Sequence, residues 1–188
     1  MYNPLIDAFP GTVEVEGKSY GINADFRNII KIITILEDDI FTERERQMSA
    51  LSWFYQNVPK NVKEALEQMY DFINLYRIPK SNEQHEPYYD FDEDAGMIFS
   101  AFFQVYGLDL TQTDMHWFKF ILLFENLNDG TPMFVKVVGY RSEKVSPNAS
   151  SEYKNHLDKM KQQYQLSKNK KLLKKLMKKR RKVGILNE

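Results

Sequence analysis

The sequence predicts a mainly α-helical protein: a compact helical domain of about five helices, with an N-terminal β-hairpin and a C-terminal basic amphipathic helix. Three observations predict this class. Apolar residues recur at spacings of three and four in several stretches. Residues with helix-capping chemistry precede those stretches. Strand-like alternation is clearest near the N-terminus. With 188 residues, 43% of them hydrophobic, the chain can bury a sizeable core.

The first element is a β-hairpin. Valine and glutamate alternate through residues 13–16, and a turn is expected at Gly17–Lys18. Asn23 then stands where it could cap a helix. The acids at 37–39 predict the end of that helix, because negative charge is unfavourable near a helix C-terminus. The apolar face of this helix comprises Phe26, Ile29, Ile30, Ile33 and Leu36.

Two capping patterns predict the next two helices. Thr42 and Glu45 have the spacing of a capping box, and Asn61 with Glu64 repeats it after Pro59. The second of these helices has the clearest amphipathic stripe in the chain. Its apolar positions are Val62, Ala65, Leu66, Met69, Ile73 and Tyr76. A polar, proline-containing loop is expected over residues 78–89.

Alternating acids open the segment YDFDEDAGMIFSAFFQVYGLDL, at residues 89–110. They resemble a calcium loop, but its sixth and twelfth positions hold Ala95 and Ala101 instead of the required glycine and glutamate. A helix start explains the acids better, with capping by Asp90 and favourable charge in the first turn. The sequence therefore predicts no metal site here, and Gly107 is expected to end the helix.

The remaining elements are less uniform. Thr111 or Thr113 is expected to begin a helix that buries Trp117, Phe120, Ile121 and Phe124. Residues 128–130 predict a turn. Residues 131–141 suit either a helix or a strand, since a Thr-Pro pair precedes several valines. After residue 150 a mostly polar helix is expected, with apolar spacing at Tyr153, Leu157, Met160 and Tyr164.

Charge divides the chain into an acidic helical domain at residues 1–142 and a basic helical tail at residues 143–188. Residues 1–141 contain 12 Lys and Arg against 22 Asp and Glu, a net charge of −10. Residues 142–188 contain 14 against 4, a net charge of +10. Such asymmetry indicates that the halves attract each other or that each binds a different partner.

Composition and motifs argue against several functions. The chain has no cysteine, which excludes disulfides and thiolate zinc sites. No signal peptide, membrane-spanning stretch or nucleotide-binding motif is visible. The three histidines, His85, His116 and His156, form no metal-binding pattern, and His116 is expected to be structural. We therefore expect a non-enzymatic, cytoplasmic protein with no cofactor, no metal and no membrane contact.

The basic tail is the candidate binding segment. Ten Lys and Arg residues surround a leucine-rich edge between residues 168 and 182. A partner helix, nucleic acid and a plain solvated tail all stay open as interpretations. The residues expected to contact a partner are Leu172, Leu173, Leu176 and Met177, with Lys174, Lys175, Arg180 and Arg181 steering it.

The middle of the chain resembles a family of phage and prophage proteins from Gram-positive hosts, here called the phage gp-fifteen family. The family pattern has an early Asp-Phe pair, a YDFxxDAxxIxxAFxxxYGIDL block, an HWxxFxxLxxxL helix and a closing YRS. The matching positions are Asp25-Phe26, Tyr89 to Phe91, Asp94-Ala95, Ile98, Ala101-Phe102, Tyr106-Gly107, Asp109-Leu110, His116-Trp117, Phe120, Leu123, Leu127 and Tyr140 to Ser142. The resemblance covers about residues 20–142 and does not extend to the basic tail.

The resemblance implies a place among phage tail genes, between those for the tail tube and the tape-measure protein. Proteins from this position resemble tail-assembly chaperones, so the expected partners are the tape-measure protein and the tail-tube protein. The resemblance implies no catalytic residues. Two alternatives are a nucleic-acid-binding accessory protein acting through the basic tail and a structural minor tail protein. Homo-oligomerisation also stays open.

Overall fold

The computed structural model describes residues 3–75, 88–127 and 132–167. Two strands and seven helices lie in these ranges: β1 (Thr12–Val15), β2 (Lys18–Gly21), α1 (Phe26–Glu37), α2 (Glu43–Phe54), α3 (Val62–Ile73), α4 (Ala95–Tyr106), α5 (Trp117–Glu125), α6 (Met133–Ser142) and α7 (Ser151–Gln163). The mainly helical class and the N-terminal hairpin are confirmed. The expected number of about five helices is wrong. The predicted basic C-terminal helix, the loop over residues 78–87 and the turn at 128–130 lie outside the described residues.

The hairpin turns one residue earlier than predicted. Strands β1 and β2 are antiparallel, and Val15 pairs with Lys18, so the two-residue turn is Glu16–Gly17. Both turn residues have positive φ, 51° and 70°, which matches the right-handed twist of the flanking strands. Val13 and Val15 point to the core and are 3% and 1% exposed.

The described residues form two compact units. Unit 1 consists of Met1–Glu83 with Leu110–Asn126 and contains the hairpin, α1, α2, α3 and α5. Helix α1 packs against α2 and α5, while α3 packs against α2 and β1. Aromatic rings fill this core: Phe26 stacks on Phe120 at 4.6 Å between centroids, and Phe54 contacts Phe72 edge-on at 5.4 Å.

The helix starts in unit 1 agree with the capping predictions for α2 and α3 and differ from them for α1 and α5. The Thr42–Glu45 capping box is complete, and the Asn61 side chain accepts a hydrogen bond from the N–H of Glu64. Helix α1, however, is capped by Asp25 and not by Asn23. The Asn23 side chain donates instead to the carbonyl of Trp53, 2.9 Å away. This bond joins residues 30 positions apart, which a local capping rule does not detect.

Unit 2 consists of Gln84–Asp109 with Leu127–Glu188, and its described part contains α4, α6 and α7. The ambiguous segment at 131–141 is helical over its described residues, and Phe134 and Val137 of α6 are buried. Helix α6 packs against both α4 and α7, and Leu157 of α7 is 1% exposed. Tertiary burial thus outweighs the strand preference of the valines. Residues 143–167 of the predicted tail belong to unit 2.

Candidate partner-binding surfaces

The predicted binding residues lie outside the described part of the chain. These are Leu172, Leu173, Lys174, Lys175, Leu176, Met177, Arg180 and Arg181. The structure describes the point from which they extend. Leu166 is 1% exposed, and the N–H of Ser167 donates to both carboxylate oxygens of Glu93 at 2.9 Å. The basic segment therefore begins beside the N-terminal end of α4.

The acids before α4 act as helix-terminal hydrogen-bond acceptors. One Asp90 oxygen accepts from the N–H groups of Asp92 and Glu93, at 2.8 and 3.0 Å. Asp90 therefore caps the turn over residues 91–94 and not α4 itself, whose N-cap residue Asp94 makes no side-chain capping hydrogen bond, so the predicted helix cap is wrong. The helix itself begins later, at Ala95, after a turn over residues 91–94.

The structure corrects the prediction that the acids lie in the first helical turn, because Asp94 immediately precedes α4 and its first turn holds no acid. Asp94 is 1% exposed and forms a bidentate ion pair with Arg141, with N–O distances of 2.6 and 3.0 Å. The same carboxylate accepts from the N–H of Asp90 at 3.1 Å. A buried carboxylate needs such a partner because removing its charge from water is costly.

Arg141 connects three parts of unit 2. Besides Asp94, its guanidinium donates to the carbonyls of Tyr164, at 2.6 Å, and Tyr88, at 3.0 Å. Tyr164 ends α7, and Tyr88 precedes the turn before α4. Only a planar, multiply donating guanidinium can bond to these groups at once. No signal in the sequence predicts this pairing apart from the family resemblance, whose pattern contains both Asp94 and Arg141.

These acids do not form a metal site in the structure. In the described ranges no group of three or more His, Asp or Glu side chains could hold a metal ion. Every buried side-chain nitrogen or oxygen there also has a hydrogen-bond partner.

Both ring nitrogens of His116 in unit 1 form hydrogen bonds to backbone groups. Its Nδ1 accepts from the N–H of Phe118 at 3.0 Å and caps α5, which corrects the predicted helix start at Thr111 or Thr113. Its Nε2 lies 3.1 Å from the carbonyl of Pro10, so the neutral ring donates there. Burial lowers the pKa of His116, and the bond to Pro10 opposes this effect.

The residues around His116 also join α1 to α5. The N–H of Phe26 donates to the carbonyl of Met115 at 3.0 Å, and the N–H of Trp117 donates to the carbonyl of Ala24 at 2.7 Å. Asp25 and His116 thus face each other in an antiparallel bridge. The Asp-Phe and His-Trp pairs of the family pattern are therefore neighbours in space.

Helix α4 carries an exposed aromatic face, which sequence reasoning missed. Ile98, Ala101 and Phe102 are buried. On another side, Phe103 is 56% exposed and stacks on the half-buried Phe99, with 6.5 Å between ring centroids. The signal was available, because α4 is apolar around most of its circumference, and such a helix is normally covered on all sides. We call Phe99 and Phe103 the α4 aromatic face.

Unit 1 has its own exposed apolar residues. Trp53 on α2 is 45% exposed, and the ammonium group of Lys31 lies 5.2 Å from its ring centroid. Leu5 and Ile6 are 93% and 80% exposed on a turn closed by bonds between Asn3 and Asp7. Exposed aromatic and aliphatic groups of this kind are typical of protein-contact surfaces.

The fold and these sites define a small, mainly helical protein whose buried polar residues organise its structure. No helix among the described residues is long and apolar enough to cross a membrane.

Comparison with known families identifies the group to which the chain belongs. The family model described as Bacteriophage Gp15 protein matches residues 5–166, so the chain belongs to this phage family. Membership indicates a phage structural or tail-region protein. The match extends beyond the resemblance over residues 20–142 and includes residues 143–166 of the predicted basic tail. Neither the curated proteins nor the solved structures contain a match.

Proposed function

We propose that this protein is a non-enzymatic tail-assembly chaperone that binds the phage tape-measure protein in the host cytoplasm. The family match over residues 5–166 carries the proposal. An unassembled tape measure would expose apolar helical stripes. A chaperone would cover them until tail-tube subunits compete for the same surface, which makes the tube protein a second expected partner.

The proposed contact segment is the basic tail. Leu172, Leu173, Leu176 and Met177 would pack on an apolar helical stripe of the client, as amphipathic helices do in grooves. Lys174, Lys175, Arg180 and Arg181 would accelerate association with an acidic client, because long-range attraction raises encounter rates. The exposed aromatic groups of the described body offer further apolar area.

Co-expression with the neighbouring tape-measure gene tests the proposal. We expect the tape measure to stay soluble and to co-purify with the full-length chain. If it remains insoluble and nothing co-purifies, the chaperone proposal fails. To test the basic residues, the chain should be truncated after Ser167 and not earlier. Leu157 and Leu166 are buried and Arg141 donates to the Tyr164 carbonyl, so a shorter chain would lose contacts of unit 2.

Paired tail variants separate apolar contact from charge. Leu172→Gln with Leu176→Gln should reduce recovery of the tape measure at every salt concentration, since it removes apolar area. Lys174→Gln with Lys175→Gln removes two charges and should act mainly at low salt. If the lysine pair has the larger effect and its effect persists at high salt, the leucine edge is not the contact.

Nucleic-acid binding is the second candidate function, because ten cationic residues lie within residues 168–182. Counterion release makes such binding fall steeply between low and physiological salt, whereas apolar binding persists. Retention on a DNA or RNA column that disappears over that range, without tape-measure recovery, would favour it. Detection of the protein in purified phage particles would instead favour a structural minor tail protein.

A further inference from the structure

The α4 aromatic face is a partly exposed helix surface within unit 2. Phe103 is 56% exposed, and it stacks on Phe99 of the preceding turn. Gly96 continues the same side of the helix, and no heavy atom lies within 4 Å of a Cβ built there. Apolar side chains at this spacing fit a second helix lying along α4.

Residues 168–182 follow Ser167, which lies near the N-terminal end of α4. Ser167 is held by Glu93, whose carboxylate accepts its N–H at 2.9 Å through either oxygen. Twenty-one residues follow Ser167, and the first of them include Lys168, Lys170 and Lys171. Asp92 and Glu93 are exposed at this end of α4, and their negative charge is complementary to the lysines that follow Ser167 in the sequence.

The spacing of apolar residues on the two segments agrees. Phe99 and Phe103 are the sixth and tenth residues after Glu93. Leu173 and Met177 are the sixth and tenth residues after Ser167. Within each pair the two residues are four positions apart, about 6 Å along a helix with a rise of about 1.5 Å per residue.

We propose that residues 168–182 dock along α4 in the same chain, with Leu173 against Phe99 and Met177 against Phe103. The lysines at the start of the tail contact Asp92 and Glu93, and the remaining cations face solvent. The tail then covers the aromatic face, and a client for either surface has to displace it. This docking needs no tape-measure protein, so it is tested independently of the proposed function.

Disulfide trapping in the full-length chain tests the docking. The chain has no cysteine, so Phe103→Cys with Met177→Cys introduces its only two thiols. The matched control is Phe103→Cys with Lys175→Cys, which has almost the same tether but places the second thiol about 200° around a helix. Under mild oxidation we expect an intramolecular disulfide to form about tenfold faster in the first pair, because the bond requires closely approaching Cβ atoms.

Three outcomes decide the matter. A fast Met177 pair that slows to the control rate on adding Phe99→Ser supports docking, because that change removes part of the face. Equal rates for the Met177 and Lys175 pairs mean that the tether alone brings the thiols together, which overturns the proposal. A disulfide that forms mainly between two molecules also overturns it, and assigns the face to the tail of a second copy.

Discussion

Replacing Arg141 by methionine should destabilise unit 2 strongly. The change keeps an apolar side chain of similar length but removes the guanidinium that bonds Asp94, Tyr164 and Tyr88. Asp94 would be left as a buried, uncompensated charge, since its side chain is 2% exposed. Removing one partner of a buried ion pair costs about 3–5 kcal/mol, a large part of the roughly 5–15 kcal/mol that stabilises a typical domain.

Urea unfolding followed by far-ultraviolet circular dichroism measures this loss. With a urea dependence of about 2 kcal/mol per molar, the transition should move down by roughly 1.5–2.5 M. The urea midpoint of Arg141→Lys should lie between those of the unchanged protein and Arg141→Met, because lysine keeps the charge but cannot donate to Asp94 through two parallel bonds. The matched control is Lys63→Met, whose ion pair with Glu67 is exposed and spans 4.0 Å, and it should change stability by less than about 0.5 kcal/mol.

The double variant Asp94→Leu with Arg141→Met completes the test. Removing both charges should restore part of the stability lost in Arg141→Met, because no unpaired carboxylate remains. If Arg141→Met and Lys63→Met have the same effect, or the double variant is no more stable than Arg141→Met, the pair does not organise unit 2 as argued.

Three further predictions concern other positions. Trp117→Phe should lower the free energy of unfolding by about 1–3 kcal/mol, since it removes the buried donor to the Ile73 carbonyl at 2.9 Å. The control, Trp53→Phe, changes an exposed side chain and should cost under about 1 kcal/mol. Equal losses of stability in thermal unfolding would contradict this prediction. Gly107→Ala should destabilise the protein by about 1–2 kcal/mol because φ is 65° there, although the site has room for a Cβ. Gly139→Ala in α6 also has room for a Cβ, and it should stabilise the protein by about 0.5–1 kcal/mol because the backbone is helical. A stability change of the same sign in both variants would contradict the argument from backbone conformation. Burial lowers the pKa of His116 below its ordinary 6.5, so the unfolded chain takes up this proton at a higher pH than the folded chain. The free energy of unfolding should therefore decline as the pH falls below about 6.5. If His116→Asn leaves the pH dependence of the unfolding free energy unchanged, another group is responsible.

Local hydrogen bonds account for the features that sequence reasoning predicted well. The Thr42–Glu45 box and the Asn61 cap each join residues three positions apart. Gly107 closes α4 in the left-handed conformation expected of a glycine at a helix end. Such contacts depend on neighbouring residues alone, so their residue types and spacing suffice to predict them.

The helix starts that were predicted wrongly, those of α1 and α5, depend on contacts between residues far apart in the sequence. Asp25 caps α1 where its backbone faces His116 in the bridge between α1 and α5. His116 in turn is held by Pro10, 106 positions away. A choice between two nearby polar residues as the cap therefore depends on contacts that no local pattern records.

The sequence by itself determined the helical class, the hairpin, several caps and the likeness to a phage family, because periodicity and capping are short-range properties. Only the tertiary structure decided the role of the acids before α4. Asp94 is separated from Arg141 by 47 positions, and their bidentate ion pair compensates the charge of a carboxylate that is 1% exposed. It likewise revealed the aromatic face of α4, because exposure depends on which sides of a helix its neighbours cover.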